Sequence, residues 1–163
     1  MRDLLRRQIA RDLAALKREL LAYDREADLW KTPPGIANSA GSLALHAAGN
    51  LRHFVGATLG QSGYVRDRDA EFSRRNVPRA ELVANVDLAQ REVDAALGRL
   101  GEKDLLREYP LEVAGTRLTT VAFLLHLSAH LAYHLGQVDY HRRIVTGGGA
   151  IVGALSVPEL ARK

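Results

Sequence analysis

Leu5, Ile9, Leu13, Leu16 and Leu20 recur at the three- and four-residue spacing of one buried stripe, while the rest of "MRDLLRRQIARDLAALKREL" alternates in charge. The pattern predicts an amphipathic helix from residue 2 to about 24. "WKTPPGIANSAGS" ends it, because Pro-Pro-Gly cannot continue a helix, and Asn38 and Ser39 are suitable caps for the next one. That second helix is predicted over residues 40 to about 58. The charged run "GQSGYVRDRDAEFSRRN" reads as a loop, and Pro78 then takes a first helical position. A third helix follows to about Leu100, with Leu82, Val83, Val86, Val93 and Leu97 inward. In "LREYPLEVAGTRLTT", Ala114-Gly115 marks a turn or small hairpin, and Thr119 or Thr120 can cap a last helix. The last helix spans residues 120 to about 146 and stops at "TGGG". The tail "GGGAIVGALSVPELARK" either packs back on the body or meets a partner.

These elements make the chain all-α and predict a four-helix bundle. With no repeat and no linker, residues 1–163 read as one domain, with a core over 1–146 and a Gly-rich tail over 147–163. The long links around 25–40 and 59–77 leave room for helices distant in order to become neighbours.

Composition narrows the function classes. Apolar and charged fractions of 47% and 26% are those of a folded globular chain. The net charge of +4 is small and scattered, which argues against a nucleic-acid surface. There is no cysteine, so disulfides and thiolate chemistry drop out, and any metal must be held by nitrogen or oxygen. The charged N-terminus lacks a signal-peptide pattern, and no apolar run reaches the roughly 18 residues of a membrane span. The expectation is a soluble, cytoplasmic protein with no membrane or nucleic-acid partner.

Four of the six histidines lie in "LLHLSAHLAYHLGQVDYH", at 126, 130, 134 and 141. On a helical wheel with His126 at zero, His130, His134, Gln137 and His141 all fall within about 80° of it, beside the aliphatic stripe of Leu127, Leu131, Leu135 and Val138. The histidines therefore face the bundle interior or its open end. On the second helix His46, Asn50, His53 and Phe54 share a face in the same way, joined by Leu43. Imidazoles at i and i+4 can reach one ion, and a facing helix can complete the site. His130 and His134 are the natural pair and His46 the natural third. Hydrogen-bonded core imidazoles are the competing reading, although burying several without partners is costly. His53 and His126 are expected at the site's edge, and His141 near the helix end, where an imidazolium would be favoured.

"HLAYHLGQ" resembles the H-x-x-x-H-x-G-Q run on the last helix of the DinB-like superfamily of metal-binding helical bundles. "GSLALHAAGNLRHF" is similar to that family's second-helix segment, which carries its first ligand. The resemblance covers the chain to about residue 146 and implies a bundle wound unlike a simple up-and-down one. It implies a divalent ion, nickel or zinc, held by His46, His130 and His134. It also implies thiol-dependent S-transferase or isomerase chemistry with a low-molecular-weight thiol such as bacillithiol or mycothiol, and a homodimer.

Leu131 stands where a zinc protease of the His-Glu-x-x-His type carries its Glu, which disfavours a peptidase. Three neutral ligands leave an ion its full charge to acidify a thiol or water, and with no cysteine in the chain such a thiol must come from outside. Asn50 and Gln137 are candidates to orient an imidazole. Asp94 is a candidate base or counter-charge, and the arginines of "YVRDRDAEFSRR" are candidates for an anionic cosubstrate. Two functions remain: a metal-dependent enzyme acting on a small molecule, or a non-catalytic metal-stabilised bundle that binds a small ligand or serves in stress response.

Overall fold

In a computed structural model, which describes residues 1–161, the chain is helical, with no strand among those residues. Positions 162 and 163, the end of the expected tail, lie outside the described residues. Four long helices carry the core: α1 (Arg2–Leu21), α2 (Ala40–Leu51), α4 (Arg79–Arg99) and α6 (Thr120–Thr146). Short helices α3 (Arg68–Ser73), α5 (Glu102–Leu106) and α7 (Val157–Ala161) are set between and after them. Both α1 and α2 pack against α4 and α6, so α1 and α2, and likewise α4 and α6, are not principal neighbours although each pair is consecutive among the long helices. The links at 22–39 and 100–119 make that arrangement possible.

The local signals work largely as expected. Ser39 caps α2 by accepting from the Ser42 amide at 3.2 Å, and Thr119 caps α6 by accepting from Ala122 at 3.4 Å. Gly147 ends α6 in the left-handed conformation at φ 67°. Pro78 is the residue before α4 rather than its first. Helix α1 stops at Leu21, earlier than predicted, and a 3-10 turn over Glu26–Trp30 follows. The early stop lets Tyr23 turn into the core, where it is 1% exposed. Helix α2 continues to Ala57 as a π-helical turn over Arg52–Ala57, in which the Thr58 amide donates to the carbonyl of His53, five residues back. The predicted turn at Ala114-Gly115 has both residues at positive φ (51° and 72°) and is closed by paired Val113 and Thr116 hydrogen bonds.

Leu5, Ile9, Leu13, Leu16 and Leu20 of α1 are all buried, as their spacing required, and meet Leu82, Val86, Val93 and Leu97 of α4 and Leu127, Leu131, Leu135 and Val138 of α6 in one core. Helix α1 also buries charge, with Glu19 fully enclosed and accepting from Arg142 of α6. The tail folds back: α7 packs on α1, Arg18 donates to the carbonyls of Val152 (2.7 Å) and Gly153 (3.0 Å), and Arg142 donates to Ala150 (2.7 Å). Of the two fates expected for the tail, this is packing on the body. No helix among the described residues is long and apolar enough to cross a membrane.

Candidate metal centre

The packing of α2 on α6 brings His46 against His130 and His134. One nitrogen from each lies within 4.8 Å of the others. The Nε2 atoms of His46 and His130 are 3.3 Å apart, and those of His130 and His134 are 3.1 Å apart. For bonds of about 2.0–2.1 Å, two nitrogen ligands on one ion are separated by about 2.9 Å at a right angle and about 3.3 Å at the tetrahedral angle. These two edges lie in that window and the third is within 4.8 Å, so the three imidazoles could hold a single divalent ion.

Each flanking imidazole is held by its other nitrogen. His46 Nδ1 lies 2.9 Å from Glu71 Oε2, and His134 Nδ1 lies 2.7 Å from Gln137 Oε1. Both oxygens are acceptors, so Nδ1 carries the proton in each ring and Nε2 presents its lone pair to the cluster. Such outer partners fix the tautomer and orientation of ligating histidines. Gln137, expected as an orienting residue, takes that role, whereas Asn50 does not: it is buried, but its Oδ1 has no hydrogen-bond partner.

Glu71 is the residue that sequence reasoning missed. It lies in the charged run read as a loop, where Asp67 caps α3 by accepting from the Ala70 amide at 2.9 Å. The acidic side chains of Asp69 and Glu71 suit the first turn of that short helix. Packing of α3 on α2 then buries Glu71 to 5% exposure beneath His46. Arg66 clamps the carboxylate with two bonds, Nε to Oε1 at 2.7 Å and Nη2 to Oε2 at 2.8 Å. Arg66 was a candidate for an anionic cosubstrate; the structure commits it to Glu71 instead. Gly49, one turn before His53 on α2, makes room for this arrangement, since a Cβ there would overlap Glu71 Oε1. The only signal available in the sequence was an acid following a good cap, which does not distinguish a buried Glu from a solvated one.

Burial favours the neutral form of the two α6 rings. Burial, assisted by repulsion from His134 and His46, pushes His130 down to about 4. Burial also lowers His134, outweighing the hydrogen bond to Gln137. Burial works to raise Glu71, but the hydrogen bond from His46 and the Arg66 ion pair outweigh it and hold the carboxyl below its ordinary range. His130 and His134 therefore offer lone pairs rather than imidazolium charge at neutral pH, and the negative charge of Glu71 is balanced by Arg66.

The remaining sequence candidates fall elsewhere. His126 is exposed and stacks beside Phe123, with its ring centroid 6.1 Å from that of His130. It borders the site but does not face the interior. His53, on the π-helical turn, is half-buried against Phe54 and lowered by burial and by Arg66. His141 reverses the expectation of an imidazolium. It is 2% exposed, and its Nε2 donates to the Lys31 carbonyl at 2.7 Å. Its Nδ1 must then accept from the Tyr23 hydroxyl, also at 2.7 Å, and burial lowers its pKa despite the carbonyl and nearby Asp28. Helix-end electrostatics is outweighed because the ring is sealed from water. Asp94 is half-exposed and pairs with Arg6 at 3.3 Å across α1 and α4, so it serves as a surface ion pair and not as part of the site.

The fold and cluster define a helical protein with a three-histidine site able to hold a metal ion. A family model described as "Protein of unknown function (DUF1572)" matches residues 5–159, and the chain belongs to that family. No curated protein and no solved structure matches it.

Proposed function

We propose that the chain is a four-helix bundle of DinB-like topology whose His46, His130 and His134 hold one nickel or zinc ion. We propose further that it is a metal-dependent enzyme that transfers a low-molecular-weight thiol to a small electrophile in the cytoplasm. The observation that carries this reading is the convergence of three imidazole nitrogens, two of their rings being oriented by Glu71 and Gln137. The pairing of α1 and α2 each with both α4 and α6 supports the topology. A homodimer, expected from the resemblance, could draw on exposed apolar side chains of the tail such as Ile151 and Val157.

When bound, a divalent ion supplies Lewis acidity that favours the deprotonated form of a thiol or water. The chain's own residues do the rest of what this chemistry requires. Glu71 and Gln137 keep the two flanking rings in one tautomer, and Arg66 prevents Glu71 from cancelling the charge of the centre. Leu131, buried between the two α6 ligands, leaves no carboxylate base between them, which suits attack by an external nucleophile better than peptide hydrolysis.

Two measurements test the reading. Elemental analysis after reconstitution with nickel or zinc should give one ion per chain for the wild type and little for His130→Ala. The loaded protein should then turn over a chlorinated dinitrobenzene with at least one member of a panel of low-molecular-weight thiols. Stoichiometric metal without turnover across the panel would favour a non-catalytic metal-stabilised bundle, and no metal at all would remove both readings.

A further inference from the structure

A half-enclosed cavity of about 290 Å³ shares Gln137 with the surroundings of the histidine cluster but is lined by none of its three histidines. It lies between the link preceding α2 and the second half of α6, and is lined among others by Ile36, Asn38, Leu43, Gln137, Tyr140 and His141. Two of these tie it to the centre: Leu43 sits one turn before His46, and Gln137 is the residue that holds His134.

The wall contributed by the link is built in advance. The Ile36 amide donates to the Pro33 carbonyl at 2.9 Å, and Gly35 between them has φ 82°, so Pro33–Ile36 is a tight turn that Pro34 and Gly35 stiffen. His141 anchors the start of the link through the Lys31 carbonyl, and the Ser39 cap fixes its end. A wall fixed at three points loses little entropy when a ligand binds.

The lining contains no Asp, Glu, Lys or Arg. His141, its only titratable member besides Tyr140, uses both ring nitrogens internally and offers an uncharged ring. A charged ligand group would be desolvated here without a counter-ion, which is expensive. A neutral group would find apolar surface on Ile36 and Leu43 and amide groups on Asn38 and Gln137. Gln137 is asymmetric in this respect: its Oε1 accepts from His134, which leaves its NH₂ free to donate. The volume is close to the lower end of the roughly 300–1,000 Å³ of ligand pockets, which suits a single-ring molecule.

We propose that this cavity is the binding site for an uncharged, single-ring-sized molecule bearing a hydrogen-bond acceptor, with Gln137 donating to that acceptor while it holds His134. As the electrophile site of the centre it rests on the proposed function, but occupancy of the cavity can be read independently of metal. Because Gln137 serves both partners, metal and ligand binding are coupled, and the coupling is reciprocal.

The test uses three isosteric probes, benzamide, benzoate and benzamidine, titrated by ligand-observed NMR into the zinc-reconstituted full-length protein, with metal content measured on the same samples. Wild type should bind benzamide at least tenfold more tightly than either charged probe. Gln137→Glu is the diagnostic variant. Its carboxylate can still accept from His134, but it replaces the NH₂ donor with a negative charge. Benzamide binding should weaken at least tenfold and benzamidine binding should rise. Ala37→Trp, on the exposed link lining the same cavity, should abolish binding of all three without loss of metal. A metal-loaded wild type that binds no probe, or that binds all three alike, overturns the proposal, as does benzamide binding unchanged in both variants. Benzamide binding by a protein that carries no stoichiometric metal upholds the cavity and overturns the metal reading.

Discussion

Replacing Glu71 with Gln should weaken metal binding without touching a ligand. The carboxylate accepts from His46 Nδ1 at 2.9 Å and from Nε and Nη2 of Arg66, and it is 5% exposed. A Gln side chain has one acceptor oxygen and one NH₂ in place of two acceptors. Whichever way it turns, its NH₂ faces either the His46 N–H or Arg66, donor against donor. Loss of such an outer partner typically lowers metal affinity about 10–100-fold, or about 1.4–2.7 kcal/mol. Gly49→Ala reaches the same carboxylate by another route: it leaves the charge in place but displaces Oε1 by steric overlap. Both variants should therefore shift a chelator-competition titration in the same direction, with circular dichroism confirming that each remains folded. An affinity within about threefold of wild type for both folded variants would refute the role of Glu71 in holding His46.

Stability of the metal-free protein should fall as pH drops from 7 toward 4. His130, His134 and His141 are all lowered in the fold and outnumber Asp12 and Glu19, which burial raises, so across this range the unfolded chain binds more protons than the folded one and acid favours unfolding. Urea midpoints at a series of pH values check this, and a flat profile would contradict neutral burial of these rings. Added zinc should raise the midpoint at pH 7 and progressively less on acidification, as protons compete for the same Nε2 atoms. Arg142→Ala should cost about 3–5 kcal/mol, because it strands the fully buried Glu19 and frees the Ala150 carbonyl that holds the tail. The paired replacement Glu19→Leu with Arg142→Met should recover much of that loss in chemical denaturation.

The sequence by itself determined the four long helices, the caps of two of them and the pairing of His130 with His134. These follow from rules that act within a few residues: a side chain at i and one at i+4 share a face wherever the helix lies, and Ser39, Thr119 and Gly147 act on the turn beside them. The choice of His46 as third member was legible for a related reason, since its helix carries the apolar face that must turn inward. Tertiary structure decided what surrounds the cluster. Glu71 and Arg66 reach His46 because α3 docks on α2, and no local pattern separates that pair from the other charges of their segment. Asp94 went to Arg6 and His141 became a buried neutral ring between Tyr23 and Lys31, each by contact with an element far away in sequence. A charged or titratable side chain is assigned its role by the partner and the degree of burial it meets, and both are fixed only when the helices pack.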